Sequence, residues 1–441
     1  MDKKSFLNSD FIGELTMQNS CSRRSFLRTA TAGSAALAMS AASYSRVLGA
    51  NDRISIGIIG CGGRGLGAHM PGINEHAKSQ NIEITAVCDP WRLRREEASA
   101  RAKEWYGREA RKFSSYRDLI ALKDVDAVMI ASCDHQHTMH LKAAAEAGKD
   151  AYCEKPLAMT LDSLKDACDA VKKAKTVVQI GTQLRSLPSF AGCRELYKTG
   201  ILGKVGRIEQ CRNGEIPYWY GYVKDVKKED VDWQEFLMDR PNRPFDPVLY
   251  SGWYGYREFS DGPVPGLGSH FIDLVHYITG AKFPSSCVCL GGTFTWKDEH
   301  SFTCPDHVQA LWIYPPDVRR IYPEGFMVSY STNFGNGSGN SFKIFGDQGV
   351  LDMVEWNSPV LTAEGANSKK KGPIRGKNPV KEVPMPDHFL DWLQCLRTRK
   401  TPNASIDAGY QHAVACIMAM QSYDTGKRML YDHEKREIRP G

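Results

Sequence analysis

The sequence predicts an α/β chain: an N-terminal doubly wound parallel sheet, then a C-terminal α+β domain with a large, mostly antiparallel open sheet. Three observations carry this. Short β-branched runs recur from residue 54 with helical stretches between them, the alternation of a parallel sheet. A glycine-rich turn follows the first run directly. From about residue 203 the pattern changes to strand-like stretches with few helices between them. The 441 residues suffice for two domains at about 100–200 residues each. Hydrophobic residues at 42% and charged residues at 24% are globular values and exclude a disordered or collagen-like chain. The formal charge of +6 is small and spread out. It argues against a nucleic-acid partner, whose binders concentrate basic charge on one face.

Residues 1–50 read as an address and linker ahead of the fold. Ser22-Arg23-Arg24-Ser25-Phe26-Leu27-Arg28 precedes a weakly apolar stretch from Thr29 to Ala42. A basic segment, a short apolar one and small residues near its end describe a secretory signal. The paired arginines before Phe-Leu match the twin-arginine export signal. The stretch is too short and too poor in Leu and Ile to span a bilayer of about 30 Å; the plain alternative is an amphipathic tail. The signal implies a periplasmic or exported protein with the twin-arginine translocase as a transient partner, cleaved after Ala42 or Ala50. Such a chain folds in a reducing cytosol, so its thirteen scattered cysteines are not a disulfide framework. Cys287 and Cys289 would share one face of a strand, and without a second pair nearby they read as sheet residues.

Residues 54–59 form an apolar run typical of a buried strand. They lead into Gly60-Cys61-Gly62-Gly63-Arg64-Gly65 and then an expected helix. In that context G-x-G-x-x-G marks a dinucleotide-binding Rossmann turn. Gly60 permits the tight turn, Gly62 lets the backbone approach a pyrophosphate, and Gly65 allows close helix packing. Gly63 and Arg64 share the turn, and the phosphates would sit at the helix N-terminus. A second strand, 82–88, ends at Asp89, close to the expected spacing of about 20 residues. A carboxylate there accepts hydrogen bonds from ribose hydroxyls and repels a 2′-phosphate, which favours NAD over NADP. Arg92 and Arg94 stand close enough to accommodate a phosphate, and Asp89 also reads as a helix cap. Strands at 126–132, 151–153 and 176–181, with a helix at 139–147, complete a first domain spanning 51–182. The second domain, 183–441, carries strand-like stretches at 205–213, 285–296, 306–314, 325–333 and 340–346. Helices near 387–399 and 406–425 close the chain. The stretch 365–382, with three lysines and several Gly and Pro, reads as a solvated loop.

Glu154-Lys155-Pro156, just after a strand and beyond the glycine turn, resembles the Gfo/Idh/MocA oxidoreductases. Asp134-His135-Gln136-His137, Ala147-Gly148-Lys149-Asp150 and the run from Val178 to Arg185 look like the same family, in particular its exported branch from Planctomycetes and Bacteroidetes. Val231-Asp232-Trp233 through Arg243-Pro244-Phe245, and Arg399 to Asn403, extend the resemblance over nearly the whole chain after residue 52. It implies cofactor contacts from Gly60, Gly62, Gly63, Arg64, Gly65, Asp89, Arg92, Ser132, His135, His137, Glu154, Lys155 and Gln183. Lys155 is implied to reach the reacting hydroxyl, where a cation lowers the alcohol pKa and stabilises developing alkoxide charge. His270 is implied to be the acid/base, since an imidazole titrating near ~6.5 suits proton removal from an alcohol. The bland readings are a solvated lysine and a structural histidine. Where the family has an aspartate four residues before the histidine, this chain has Gly266; Asp273, one helical turn after His270, is a candidate to contribute. Lys155, Arg185, His270 and Asp273 are implied on the substrate side. His135, His137 and His140 invite a metal reading, because His-x-His can place two imidazoles on one ion. The resemblance places them over the cofactor instead, and no metal is expected. Family members pair through the open sheet, which implies a homo-oligomer, dimer or tetramer.

Between Tyr218 and Phe259, 12 of 42 residues are aromatic, against 10% for the chain. Core packing takes some of them, but Tyr218-Trp219-Tyr220 is too dense to face wholly inward. Aromatic faces beside a few polar groups suit a carbohydrate, with Trp219 and Trp253 as candidate contacts. The expected function is an NAD(P)-dependent oxidoreductase acting on CH–OH groups of carbohydrates, moving a hydride between a sugar or glycoside carbon and nicotinamide. Export leaves no recycling cofactor pool, so tight binding is expected, with ping-pong turnover on a second sugar as in the related glucose–fructose oxidoreductase. Two alternatives stand beside it. One is an NAD-dependent glycosidase acting by transient C3 oxidation and elimination. The other is a catalytically decayed NAD- and sugar-binding protein, motivated by Gly266.

Overall fold

Strands buried on both faces organise the first half of the molecule. The computed structural model describes residues 53–364 and 372–441. The expected export signal lies outside the described residues, as does part of the expected loop at 365–382. Six strands, β1 (Ile54–Ile59), β2 (Ile82–Cys88), β3 (Arg111–Phe113), β4 (Ala127–Ile130), β5 (Asp150–Cys153) and β6 (Val178–Ile180), form a sheet of order β3-β2-β1-β4-β5-β6. Every pairing is parallel. This is the Rossmann order, and it reverses direction between β1 and β4, where ligands of such sheets bind. The fully buried β-branched residues Ile56, Ile58 and Val128 explain why these segments read as unbroken apolar runs. Helices α1 (Arg92–Tyr106), α2 (His137–Glu146) and α3 (Leu161–Ala174) connect them. On α3, Leu161, Leu164, Cys168 and Val171 are buried at helical spacing, and the Thr160 hydroxyl caps the helix by accepting from the Ser163 N–H,.

The helix expected after the glycine turn forms over 63–74 and carries a π-helical turn within it. That turn spans Gly65–His69 and a short α-helix follows at Met70–Asn74. Pro71 supplies the reason, because it has no N–H to continue an i→i−4 ladder.

The second sheet has ten strands. They are β7 (Val205–Cys211), β8 (Ser286–Gly292), β9 (His307–Tyr314), β10 (Phe326–Asn333), β11 (Ser341–Gly346), β12 (Gly349–Asp352), β13 (Val360–Ala363), β14 (Lys377–Pro379), β15 (Met429–Asp432) and β16 (Glu437–Pro440). Their order is β14-β13-β12-β11-β7-β10-β9-β8-β15-β16. Only β7 and β10 pair in parallel; the other pairings are antiparallel. Strand β14 falls inside the stretch expected to be a loop. Like β12, β13, β15 and β16 it has only three or four residues, too few to show a period in the sequence.

Alternation along β9 separates the two faces. Val308, Ala310, Trp312 and Tyr314 are buried, while Gln309, Leu311 and Ile313 point outward. Helices α4 (Pro188–Lys198), α5 (Ser269–Thr279), α6 (His388–Thr398) and α7 (Ile406–Thr425) complete the chain. Helix α7 packs on β8 and on α5, and the Trp312 indole N–H donates to the Ala415 carbonyl at 2.9 Å. Cys287 and Cys289 share the buried face of β8, and every described cysteine is a free thiol.

The chain's last third returns to the first sheet. Ile180 N donates to the Ala404 carbonyl at 2.8 Å, and the Gln179 side chain donates to the His388 carbonyl at 2.6 Å. Residues 53–441 thus form one compact unit. No helix among the described residues is long and apolar enough to cross a membrane. Because Trp312 is fully buried and holds α7 to the sheet, Trp312→Ala should cost about 3–5 kcal/mol, read as a lowered urea midpoint.

Candidate active site

A cavity of about 670 Å³ opens at the carboxyl ends of β1, β4 and β5 and is roofed by the segment 218–254 and the start of α5. The glycine turn forms one wall. Gly60 has φ +92°, and a Cβ there would stand 2.5 Å from the Ala131 backbone. Gly62 and Gly63 have no atom within 4 Å of an added Cβ, so their backbone is open to the cavity as a pyrophosphate requires. Gly65 lies beneath this wall, where a Cβ would overlap the Gly60 carbonyl.

Asp89 ends β2 on the same cavity. Its carboxylate accepts from the Cys61 N–H at 2.7 Å and the Trp91 N–H at 2.8 Å, which leaves lone pairs for ribose hydroxyls. Burial raises its pKa to about 6, against the two backbone donors that favour the charged form. Arg94 lines the cavity with its guanidinium 5.1 Å from the Trp91 ring centre. Arg92, expected at the cofactor, faces away and pairs with Asp230 at 2.6 Å and Glu96 at 2.9 Å. Residues two apart on a helix point to different sides, which is the reason only one of the two reaches the cavity.

Glu154 is the most connected side chain of the site. One oxygen accepts from Arg64 Nε and His69 Nε2, each at 2.8 Å, and from Gln183 Nε2 at 3.0 Å. The other accepts from the Lys155 N–H at 3.1 Å. Burial would raise its pKa, but Arg64 and the His69 hydrogen bond hold the carboxyl well below the usual range. Gly181 makes room, since a Cβ there would lie 2.7 Å from the Glu154 carboxyl carbon.

Lys155 Nζ donates to the Gly266 carbonyl at 2.7 Å. Two of its three N–H bonds therefore remain for other partners, and burial lowers its pKa. His270 lines the same cavity. Burial and then the Lys155 charge push its pKa down to about 3, so the ring is neutral at pH 7 and is a weaker base than the value near ~6.5 expected from the sequence. Its Nδ1 is buried with no hydrogen-bond partner among the described residues. Asp134, also at the wall, is pushed up to about 8 by burial and accepts from the Ser260 hydroxyl at 2.8 Å.

Ser132 and His137 line the cavity; the His137 ring stands between the carbonyls of Pro156 at 2.7 Å and Ser132 at 3.0 Å. His135 is not at the wall. It is buried and faces the Phe236 carbonyl at 2.9 Å, and His140 meets the Ser132 hydroxyl at 3.0 Å. Among the described residues no three His, Cys, Asp or Glu side chains are grouped to hold one ion.

Three expected substrate contacts are placed elsewhere. Trp219 is 1% exposed and packs edge-on against Phe302 and Phe334; Trp253, Tyr218, Tyr222 and Tyr254 present the cavity face instead. Arg185 and Asp273 form a buried two-pronged pair, 2.8 Å at each contact, with Arg185 also donating to the Asn403 carbonyl at 2.8 Å. Arg185, with a charge interaction from His412, holds the Asp273 carboxyl below its usual range despite burial. Asp273 is thus committed to the core rather than to His270. Tyr222 and Tyr254 belong to the aromatic cluster the sequence marked, while Asp134 and Trp356 were not assigned to the site. Asp134 had a signal, standing first in the Asp-His-Gln-His motif; Trp356 had none.

Two family models match. One, described as an oxidoreductase family with an NAD-binding Rossmann fold, covers residues 54–182, and its C-terminal alpha/beta companion covers 239–430. The chain belongs to the Gfo/Idh/MocA oxidoreductase family. Its Rossmann domain is accordingly an NAD-binding one, and the open glycine wall and Asp89 fit that cofactor. An inositol 2-dehydrogenase/D-chiro-inositol 3-dehydrogenase of Shouchella clausii is 30% identical over 179 residues, 40% of this chain and 49% of that protein. A glycosyl hydrolase family 109 protein of Shewanella sp. ANA-3 is 33% identical over 290 residues, 60% of this chain and 59% of that protein. The chain spans about half the length of the curated relatives it matches. Among solved structures, a levoglucosan dehydrogenase in complex with NADH has a TM-score of 0.63 at 18% identity, covering 86% of this chain and 98% of that one. The WlbA dehydrogenase of Chromobacterium violaceum, with NADH and UDP-GlcNAcA, reaches 0.65 at 17% identity, covering 87% and 97%. At those identities the two structures speak for the fold.

The buried histidines of this protein set its pH response. His135, His270 and His276 are pushed down to about 3 and His388 to about 4, all by burial. A depressed pKa contributes stability that is present above the unfolded value of about 6.5 and is lost as pH falls toward the folded value. Asp89 and Asp261, raised to about 6, and Asp134, raised to about 8, act oppositely and lose stability as pH rises from about 4. The histidines outnumber them. The melting temperature should peak near pH ~6.5–7 and fall toward pH ~4; a profile that rises over that interval would contradict the burial of these rings.

Proposed function

We propose that this oxidoreductase uses NAD to oxidise a CH–OH group of a carbohydrate or polyol. The observation that carries the reading is the 2.7 Å hydrogen bond from Lys155 Nζ to the Gly266 carbonyl, which brings the Glu-Lys-Pro turn against the segment leading to His270. Lys155 holds the substrate oxygen with its free N–H groups, and the neutral His270 ring accepts the hydroxyl proton. NAD, when bound, supplies the hydride acceptor. Glu154 fixes Arg64 at the glycine wall and Gln183 beside it, and Trp253, Tyr222 and Tyr254 offer aromatic faces to the C–H faces of a sugar ring. The inositol dehydrogenases among its relatives support this substrate class.

A second reading is favoured by the glycosyl hydrolase family 109 relative. Oxidation at C3 would acidify the neighbouring C–H, allow elimination of the aglycone and, after water addition, be reversed by reduction. Release of aglycone without net NADH would select it. Residues 1–50 support a further proposal, export through the twin-arginine pathway to the periplasm with a tightly held cofactor; the free cysteines are in keeping with folding in a reducing compartment. The outward row Val288, Leu290, Leu311, Ile313 and Met327 on the ten-stranded sheet supports pairing of two copies through that face.

Two substitutions test the catalytic assignment. With myo-inositol and levoglucosan as probes and NADH absorbance as the readout, Lys155→Met should lower kcat by about 10²–10³-fold. His270→Asn should lower it by about 10²–10⁴-fold. NAD affinity should stay within a few-fold of wild type in both. Retained turnover in either variant would remove that residue from the chemistry.

A further inference from the structure

Gly266 has no side chain, and the space a side chain would occupy is taken by Tyr218. A Cβ built on Gly266 would overlap the Tyr218 hydroxyl, with the ring carbon Cζ at 3.3 Å. The Tyr218 ring lines the cavity, and it is held edge-on by Trp219 at 5.1 Å, Tyr254 at 4.9 Å and Phe334 at 5.8 Å between ring centres. Its Oη is closed off from water and has no hydrogen-bond partner among the described residues. Burial raises the phenol pKa well above its ordinary value, so the hydroxyl stays protonated and can donate.

Leaving a buried hydroxyl without a partner costs free energy, and such a group on a cavity wall is a candidate to take a ligand atom as its partner. Two neighbours bear on where that atom lies. Lys155 Nζ is anchored on the carbonyl of the same Gly266 that Tyr218 covers, and His270 stands one helical turn further along the chain. We infer that Tyr218 Oη hydrogen-bonds a substrate oxygen next to the one held by Lys155, and that Gly266 is glycine because the phenol occupies its side-chain space. This inference rests on the oxidoreductase reading of the cavity and extends it. The group recognising the substrate at this point is a neutral donor rather than an anion. The reacting end of the cavity therefore combines the Lys155 cation with an O–H donor, which favours a polyhydroxy ligand with an acceptor oxygen adjacent to the reacting carbon.

The test uses the full chain with NAD, with myo-inositol and levoglucosan as probes. On whichever probe wild type oxidises, Tyr218→Phe should raise KM about 10-fold or more and lower kcat/KM by about 10–100-fold, with NAD affinity and melting temperature little changed. A Tyr218→Phe enzyme within twofold of wild type overturns the role of Tyr218 and leaves the oxidoreductase reading standing. A wild type that oxidises neither probe contradicts that reading and this inference with it. A second pair separates recognition from packing. Gly266→Ala should lower the melting temperature through the overlap with Oη, and adding Tyr218→Phe should restore it, because the remaining contact at 3.3 Å needs only a small shift. The double variant should remain defective in kcat/KM. Recovery of turnover together with stability would show that Tyr218 merely fills space.

Discussion

A buried carboxylate must be met by donors or it loses its charge, and the site of this protein is arranged around meeting one. Glu154, at the end of β5, draws Arg64 from the glycine turn, His69 from the π-helical turn after it, Gln183 from the loop after β6 and the Lys155 amide from its own turn. Those segments come from four places in the chain. Their common partner is why the glycine wall, the lysine and the loop after β6 face one cavity. Neutral Gln at 154 would keep the shape but remove the charge that the part-exposed Arg64 guanidinium and the buried His69 ring meet.

The second constraint is the closure of the C-terminal segment onto the first sheet. Gln179, Ile180 and Ser186 bond to residues of 388–404, so the substrate side of the cavity is carried by a rigid body rather than by a free loop. Helix α5, which bears His270, is packed between α4 and α7. The Arg185–Asp273 pair sits beneath it and locks its orientation. These two residues matter to the site through that support and not through contact with a ligand.

Much of this was legible in the sequence where the signal is local. The strand before Gly60, the glycine spacing and the position of Asp89 depend on residues a few places apart, and all stand where the pattern predicts. The large second sheet was legible in outline because its long strands, β9 and β10, alternate cleanly. What could not be read was partner choice. Arg92 and Arg94 look equivalent in the chain, and only the geometry of α1 turns one toward Trp91 and the other toward Asp230. Trp219 and Trp253 belong to the same aromatic cluster, yet one is core and the other wall. Asp273 invited pairing with His270 by helical spacing, but a guanidinium from a distant loop claims it first. The missing side chain at Gly266 read as a gap in the machinery; in three dimensions the gap is filled by a phenol from 48 positions earlier in the chain, a relation no local pattern encodes.

The proposed function requires that this cavity hold NAD against an oxidisable carbon. The most direct measurement is made on full-length protein purified without added cofactor, incubated with C-deuterated myo-inositol or levoglucosan and then denatured. About one nicotinamide nucleotide per chain is expected, recovered as NADH carrying deuterium from the sugar. Protein that releases no nucleotide and leaves all deuterium on the sugar, even after NAD is supplied, would contradict it.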